Sequence, residues 1–576
     1  MHRPFLKITS ALALAAILAP GAPAPTTQQA NAQEAITLVP PVRPFRLPAR
    51  VGVFAEVRLT LQQALANALA NNNNIDGARI NREISGYNLT GARGLFDPTV
   101  GAVSQFLKQV NPVASSLGGA PGGGDAVLNR TWQTDPTLSG STPWLGGSYK
   151  VDFSSQRSYT DNSFVTLNPQ FPTSLTFQYT QPLWRNLFYD ANRHTIDVAK
   201  KNRDMSGQQF RQTVMQVVQQ TEQAYWELVY AFTNLQVQLE AVEIGRQQDE
   251  SNRRQQEQGL LAPIDVVAAQ TQLAAFELSA YSAQSALTSA ENALKLLMLP
   301  DRNSALWASM LIPVTAPYAE APTVELPDAV AAALAERPEV AEVKISGEIN
   351  QKDRRYYRDQ TKAQVDLIAS YSHAGLAGPL FVQTGPNPLT AAFGPLLTQI
   401  NELSALAGLP PVTLTSSGGP PAQLVGGYGQ SLSNLWSGDF PTTQIQLRVS
   451  LPIRNRVAES NLSAALANQR LIQNQRDQLE QSIQSDVRNA IQSMESAQLR
   501  LEAARVQRES AEEQYNSEQR QFRAGTSTLF LVQQRQTTMI TARSQERRAE
   551  SDLSDAISVY ELVTGSNLRR HNINLQ

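Results

Sequence analysis

The chain has 576 residues, with 48 Lys+Arg against 50 Asp+Glu, 41% apolar residues, four histidines and no cysteine. A formal charge of -2 without any Lys/Arg block excludes a phosphate-backbone binder, which needs a basic stripe, so nucleic acid is not an expected partner. The lack of cysteine excludes a disulfide framework, a thiolate metal site, a thiol nucleophile and a lipid on an N-terminal Cys.

Residues 1–32 read as an export signal: Arg3 and Lys7 precede an apolar run from Ala11 to Ala19, and small-residue sites follow at Ala22-Pro23-Ala24 and Ala30-Asn31-Ala32. Cleavage is expected after Ala32. No other stretch approaches the roughly 18 to 20 apolar residues of a membrane-spanning helix. Residues 33–58, with Pro40, Pro41, Pro44 and Pro48, read as an extended lead-in.

A first structural repeat is expected over 59–320. It opens with a helix over 59–92, begun by Thr60 or Leu61 and closed by Gly94 and Pro98. Within 97–186, Thr99 to Val110 and Leu175 to Gln181 alternate apolar with polar residues, which is the strand period. Tyr149 to Phe153 alternates as well but has no evident place, and the Gly-rich stretch 111–147 reads as a long loop. Residues 187–257 form a proline-free, Gln-rich helical pattern that would reach roughly 105 Å at 1.5 Å per residue. Its stripe of Val218, Thr221, Tyr225, Leu228, Phe232, Leu235, Leu239 and Val242 alternates spacings of three and four, the seven-residue period of supercoiled helices. Gly259 interrupts the pattern, and a helix resumes over 263–298.

The second half, 321–565, repeats this order, with a tail over 566–576. Leu59 to Asn71 recurs as Val324 to Glu336, Gln181-Pro182-Leu183 as Leu451-Pro452-Ile453, and Gly259 as Gly525. Helices are expected over 324–361, 455–523 and 529–565, and strands within 363–454 at Ala363 to Tyr371 and Gln444 to Leu451. The long helix keeps the stripe Ile483, Val487, Ala490, Met494, Ala497, Leu501 and Ala504. Residues 374–440 read as a second long outer loop, with room for a short helix near Leu397 to Leu406. The two short helices of a half nearly match its long one in length, so they can stack end to end beside it. Strands without a covering helix need closure into a barrel, and four per chain are too few, so several chains must share one.

Catalysis is poorly supplied, and no enzyme activity is expected. His2 leaves with the signal, His571 lies in the tail, and His194 and His373 sit in no metal-ligand spacing. Carboxylates three or four residues from Lys and Arg read as a solvated helix face. No catalytic residue, cofactor or metal is expected. A periplasmic coiled-coil scaffold or adhesin-like protein is the alternative reading; it explains the heptads and leaves the strands unexplained.

The duplicated order of Leu59-Thr60-Leu61-Gln62-Gln63-Ala64-Leu65, Phe96-Asp97-Pro98, Gln181-Pro182-Leu183, Gly259 to Asp265-Val266-Val267 with Ala269, and the closing Ala556 to Gly565 helix resembles the TolC-type outer membrane efflux protein family over residues 59–565. The resemblance implies an α+β membrane protein: a long antiparallel α-helical coiled-coil barrel continuous with a transmembrane β-barrel, formed by a trimer of internally duplicated chains. Four strands per chain would make twelve. It implies an outer-membrane, lipid-embedded exit duct with a periplasmic tunnel, serving a tripartite efflux or type I secretion system. Conduction would be passive, with a periplasmic adaptor (membrane fusion protein) and an inner-membrane transporter of RND, MFS or ABC type as partners. By the same likeness Gly259, Leu260, Asp265, Gly525, Thr526, Phe530, Leu531 and Gln534 fall at the tips where adaptors dock and the tunnel gates, while Pro182 and Pro452 mark strand-to-helix junctions. The acidic pair that some relatives carry after the second tip is replaced by Leu531 and Gln534, leaving Asp265 as the nearby carboxylate and Phe530 or Leu531 as an apolar constriction.

Overall fold

The computed structural model describes residues 45–115, 118–381, 388–412 and 419–575. The expected export signal and Pro40, Pro41 and Pro44 lie outside them. No helix among the described residues is long and apolar enough to cross a membrane.

The helices come in matched sets. Helices α1 (Leu61–Asn71) and α2 (Asn73–Arg93), α3 (Ala191–Glu257) and α4 (Pro263–Met298) have counterparts in α5 (Leu326–Glu336), α6 (Pro338–Gln360), α9 (Arg456–Arg523) and α10 (Leu529–Thr564). The counterparts begin 265 or 266 residues later, and α4 and α10 both have 36 residues. Thr60 starts α1 by accepting from Gln63 N while Gln63 Oε1 accepts from Thr60 N, a reciprocal cap. The stretches 59–92 and 324–361, read as single helices, are each broken in two. Asn72 leaves the helical region and caps α2 through its side chain. Pro338 has no N–H to continue the preceding helix and so starts a new one, α6.

The long helix α3 lies between α2 and α4 on one side and α6 and α10 on the other, and α9 closes the row against α6 and α10. The wall is therefore one helix thick. The α9 stripe from Ile483 to Ala504 is buried at every member, and most of the remaining surface of that helix is open to solvent. In α3, Val218, Thr221, Tyr225, Leu228 and Val242 are buried while Phe232, Leu235 and Leu239 are partly so. A short parallel pair, β1 (Ala55–Leu59) with β6 (Ser309–Pro313), joins the two repeats beside α3. Tyr225 fastens it, donating to Leu59 O and accepting from Thr315 N, both at 3.0 Å.

The remaining strands among the described residues are β2 (Thr99–Pro112), β3 (Ala126–Ser141), β4 (Ser148–Thr160), β5 (Thr173–Pro182), β7 (Gln364–Gly375) and β8 (Pro441–Ser450). They form one six-stranded antiparallel sheet in the order β2-β3-β4-β5-β7-β8, against the four strands that the resemblance implied. The stretch 111–147 is not one loop, because β3 occupies its second half. Pro136 masks that strand in the sequence, and without an N–H it also interrupts the β3–β4 ladder between Thr134 and Thr137. Tyr149 to Phe153 belongs to β4 and pairs with both β3 and β5. The stretch 374–440 likewise holds α7 (Pro388–Leu406) and α8 (Tyr428–Ser437). Helix α8 packs on β5 and β7, where Gly375 leaves no room for a Cβ, since one would lie 2.2 Å from Ser431 O.

Candidate functional site

The strand register sorts the sheet's side chains onto two faces. One carries Val100, Phe106, Leu128, Trp132, Leu138, Val151, Phe153, Leu175, Phe177, Leu367, Tyr371, Ile445, Leu447 and Val449 at matched positions across all six strands. The other carries Gln105, Thr131, Gln133, Asp135, Asp152, Ser154, Gln156, Thr176, Gln178, Asp366, Ser370, Gln444, Gln446 and Arg448. On β3 and β7 the apolar face is the more exposed: Trp132 and Leu367 stand open while Asp366 and Ile368 are buried. A soluble sheet does the reverse. An open apolar face backed by a polar one is the arrangement of a lipid-facing barrel wall around a wet lumen, in which the apolar face is the convex side and the polar face the concave.

The helices of the long wall, α2, α3, α6 and α9, all leave the sheet from one end, at Thr99, Pro182, Gln364 and Ser450, while α8 sits at the other end, before Pro441. Pro182 ends β5 and is buried, and Leu183 N donates to Val365 O across to β7. Pro452 is exposed and lies between β8 and α9. Exposed Trp144, Trp184 and Phe188 ring this end, and Trp132, Tyr159 and Trp436 ring the far one. From Tyr149 to Tyr159 along β4 is roughly 33 Å of strand, which a tilt near 40° reduces to about 25 Å, the height of an outer-membrane apolar band.

At the opposite extreme of the helices, the two tips have the same construction. Gly259 N donates to Gln256 O and Leu260 N to Gln255 O, both at 2.9 Å. Gly525 N donates to Phe522 O and Thr526 N to Gln521 O, both at 3.0 Å. These paired bonds are Schellman caps, and the glycines sit at φ 73° and 78°, a left-handed backbone that no β-carbon favours. The first tip exposes Leu260 and Ile264 and holds Asp265 half-buried in the first turn of α4. The second exposes Phe530, Leu531 and Gln534. Phe530 and Gln534 line a groove of about 470 Å³ with Gln272, Gln507, Gln533 and Thr541. Gln272 Nε2 donates to Thr537 Oγ1 at 3.0 Å and so ties the two hairpins together.

His194 Nε2 lies 2.7 Å from Asp353 Oδ1 with its ring stacked on Tyr356, and His373 meets Tyr371 edge-on; among the described residues neither adjoins a ligand set. The third histidine differs from the reading as an idle tail residue. His571 Nε2 lies 2.5 Å from buried Glu222 Oε1, out of line for a hydrogen bond, with Glu561 beside them and Arg570 bonded to Glu561. The three ligand atoms lie within 4.8 Å of one another, but the Arg570 guanidinium already occupies Glu561, so this is an ion-pair knot that pins the tail to α3 and α10. Its partners are 349 residues apart, which hides it from any local pattern.

Burial raises the Glu561 carboxyl to about 7, aided by Glu222 and opposed by Arg570 and His571, and burial beside Asp552 raises Asp555 to about 6. Both groups hold their proton more tightly folded than unfolded. Their contribution is full below the ordinary carboxylate range and is lost as pH rises through 6 to 7, for Glu561 on the order of 3 kcal/mol. The melting temperature is therefore expected to fall between pH 5 and 8, and Glu561→Gln should flatten the slope by circular dichroism; parallel curves would refute it.

The profile of the outer membrane efflux protein family matches residues 147–298 and 403–562. No curated protein matches the chain. Among solved structures it is similar to the outer-membrane channel OprN, at 14% identity and TM-score 0.59 over 88% of this chain and 90% of that one. It is also similar to the CmeC outer membrane channel of Campylobacter jejuni, at 14% identity and TM-score 0.59 over 94% of this chain and 99% of that one. A third similar structure is the outer membrane protein VceC of Vibrio cholerae, at 13% identity and TM-score 0.57 over 88% and 96%. With the inverted sheet and the helical wall, the matching profile places this chain in the outer membrane efflux protein family, whose members are channels of the outer membrane.

Proposed function

We propose that three copies of this chain wrap into one exit duct, a barrel in the outer membrane continuous with a helical tunnel in the periplasm. The observation that carries this is the pair of open edges. Strand β2 runs away from the helices and β8 runs back toward them, both lie unpaired along one side among the described residues, and their meeting between neighbouring chains is antiparallel. The outer flank of α9 is equally open, so the helical wall closes by the same rotation. Six strands from each of three chains give eighteen rather than twelve. At strand spacing near 4.8 Å and tilt near 40°, the backbone radius is roughly 18 Å instead of roughly 12 Å.

The concave face offers Gln, Ser and Thr with Asp135, Asp152 and Asp366 set against Lys150 and Arg448, a nearly balanced mixture, so the duct discriminates little and cargo is chosen elsewhere. Conduction is passive. Energy comes from an inner-membrane transporter of the RND, MFS or ABC class, coupled through a periplasmic adaptor in tripartite efflux or type I secretion. The exposed Leu260, Ile264 and Phe530 and the Gln-lined groove are the adaptor's docking surface, and Asp265 faces the entrance. A periplasmic scaffold, the competing reading, leaves the apolar convex face uncovered.

The test is the mass of the detergent-extracted particle together with its current in a planar bilayer. The expected result is a heat-dissociable trimer whose extracted barrel conducts. A water-soluble monomer with native helical spectra in the absence of detergent would overturn it.

A further inference from the structure

The convex face carries charge at one place only. Lys108 on β2 stands directly opposite Arg130 on β3, and Arg157 on β4 stands opposite Trp132, one same-face step from Arg130. All three are exposed. No carboxylate shares this face in any of the six strands: Asp135, Asp152 and Asp366 all belong to the concave side. Among the described residues no acidic group lies within ion-pair distance of the three cations, and Arg130 leans only on the Tyr159 ring, 5.9 Å from its centroid. Asp161, just past the end of β4, has one carboxylate oxygen accepting from Leu128 N.

Like charges directly opposite on neighbouring strands destabilise a sheet, and charge on a lipid-facing strand is costly toward the bilayer centre. Three cations kept together here, with no acid to neutralise them, call for an anion from outside the protein. Their level identifies it. Lys108, Arg130 and Arg157 lie among Phe106, Trp132 and Tyr159, the aromatic ring at the end of the sheet away from the helices, where lipid headgroups sit. Two guanidiniums on adjacent strands provide forked donors that match phosphate oxygens, with an ammonium as a point charge beside them.

We propose that Lys108, Arg130 and Arg157 form a binding site for a phosphate-bearing headgroup of an outer-leaflet glycolipid, one site per chain. This rests on the reading of the sheet as an outer-membrane barrel whose helices hang into the periplasm. The acyl chains lie against Val151, Phe153 and Leu175 on the same face, and the phosphate bridges β2, β3 and β4. Such a lipid acts as a lateral clasp across the strands nearest the open β2 edge.

The extracted protein is titrated with bis-phosphorylated lipid A, with its dephosphorylated form and with phosphatidylcholine, and bound lipid is counted by native mass spectrometry. The expected result is retention of the phosphorylated lipid at up to three per trimer, reduced at least tenfold in Arg130→Gln/Arg157→Gln and reduced less in Arg130→Lys/Arg157→Lys, which keeps the charge and loses the fork. Lys150→Gln, on the concave face, should leave retention unchanged. Equal retention of phosphorylated and dephosphorylated lipid, or equal loss in Lys150→Gln, would overturn the site. Displacement by inorganic phosphate at matched concentration would also overturn it, since the site would then be one for free anions. A wild-type chain that forms no detergent-extracted trimer fails the barrel reading itself, whereas a trimer that shows no preference among these lipids fails this proposal alone.

Discussion

Glu291→Ala is expected to destabilise the protein by about 3–5 kcal/mol, the cost of stranding a buried charge by removing its partner. Glu291 and Lys295 stand one turn apart on α4 with side chains 0% and 1% exposed, and Lys295 Nζ donates to Glu291 Oε1 at 2.6 Å. The ammonium also donates to Trp307 O and Ser309 O at the start of β6. Arg50 NH2 reaches the second carboxylate oxygen at 2.6 Å, so one carboxylate holds α4, the inter-repeat strand and the lead-in together. Alanine leaves an ammonium and a guanidinium facing each other out of water. Arg50→Met/Glu291→Leu/Lys295→Met should regain most of the loss, because apolar replacements of similar volume for a whole buried ionic cluster are often neutral. Thermal or denaturant unfolding of the extracted protein measures both. A single-variant loss under 1 kcal/mol would mean that water reaches this knot.

The second large effect separates the two sheet faces. Phe177 projects from the middle of β5 on the convex side, opposite Val151 and Tyr371, and the next residue, Gln178, projects to the concave side opposite Lys150 and Ser370. Phe177→Arg places a charge in the bilayer's apolar band and is expected to cost about 2–4 kcal/mol. Gln178→Arg puts the same charge into the wet lumen, so assembly should survive and cation current should fall. Unfolding from lipid vesicles reads the first effect and single-channel recording the second. If the two arginines destabilise equally, neither face is lipid-exposed and the barrel orientation is wrong.

These faces were only partly legible in the sequence. The alternation in Leu175 to Gln181, Ala363 to Tyr371 and Gln444 to Leu451 is clean because their convex positions are nearly all apolar. Strand β3 follows the same period, but with Arg130, Thr134 and Pro136 on the convex side it reads as polar loop, and the glycine run before it strengthens that impression. The strand count therefore could not be reached. The α9 stripe was fully legible, since a helix packed along one seam shows its period undiluted. The Glu291–Lys295 pair was not: the same i,i+4 spacing serves a solvated face and a buried one, and only the arrival of Arg50 and β6 decides between them. The tip glycines show a third case, where a left-handed backbone leaves its mark at a single residue, while the surface that a tip offers depends on which hairpins lie side by side.

The broken helices of the two repeats carry a lesson about descent. Helices α1 and α5 both run for 11 residues and stop 265 positions apart, yet one joint is made by an asparagine that caps its successor and the other by an imino acid with nothing to donate. A bend present in the ancestral single copy would explain why both daughters keep it, each having since arrived at its own chemistry. What has been inherited is an angle, and the letters that encode it were free to drift.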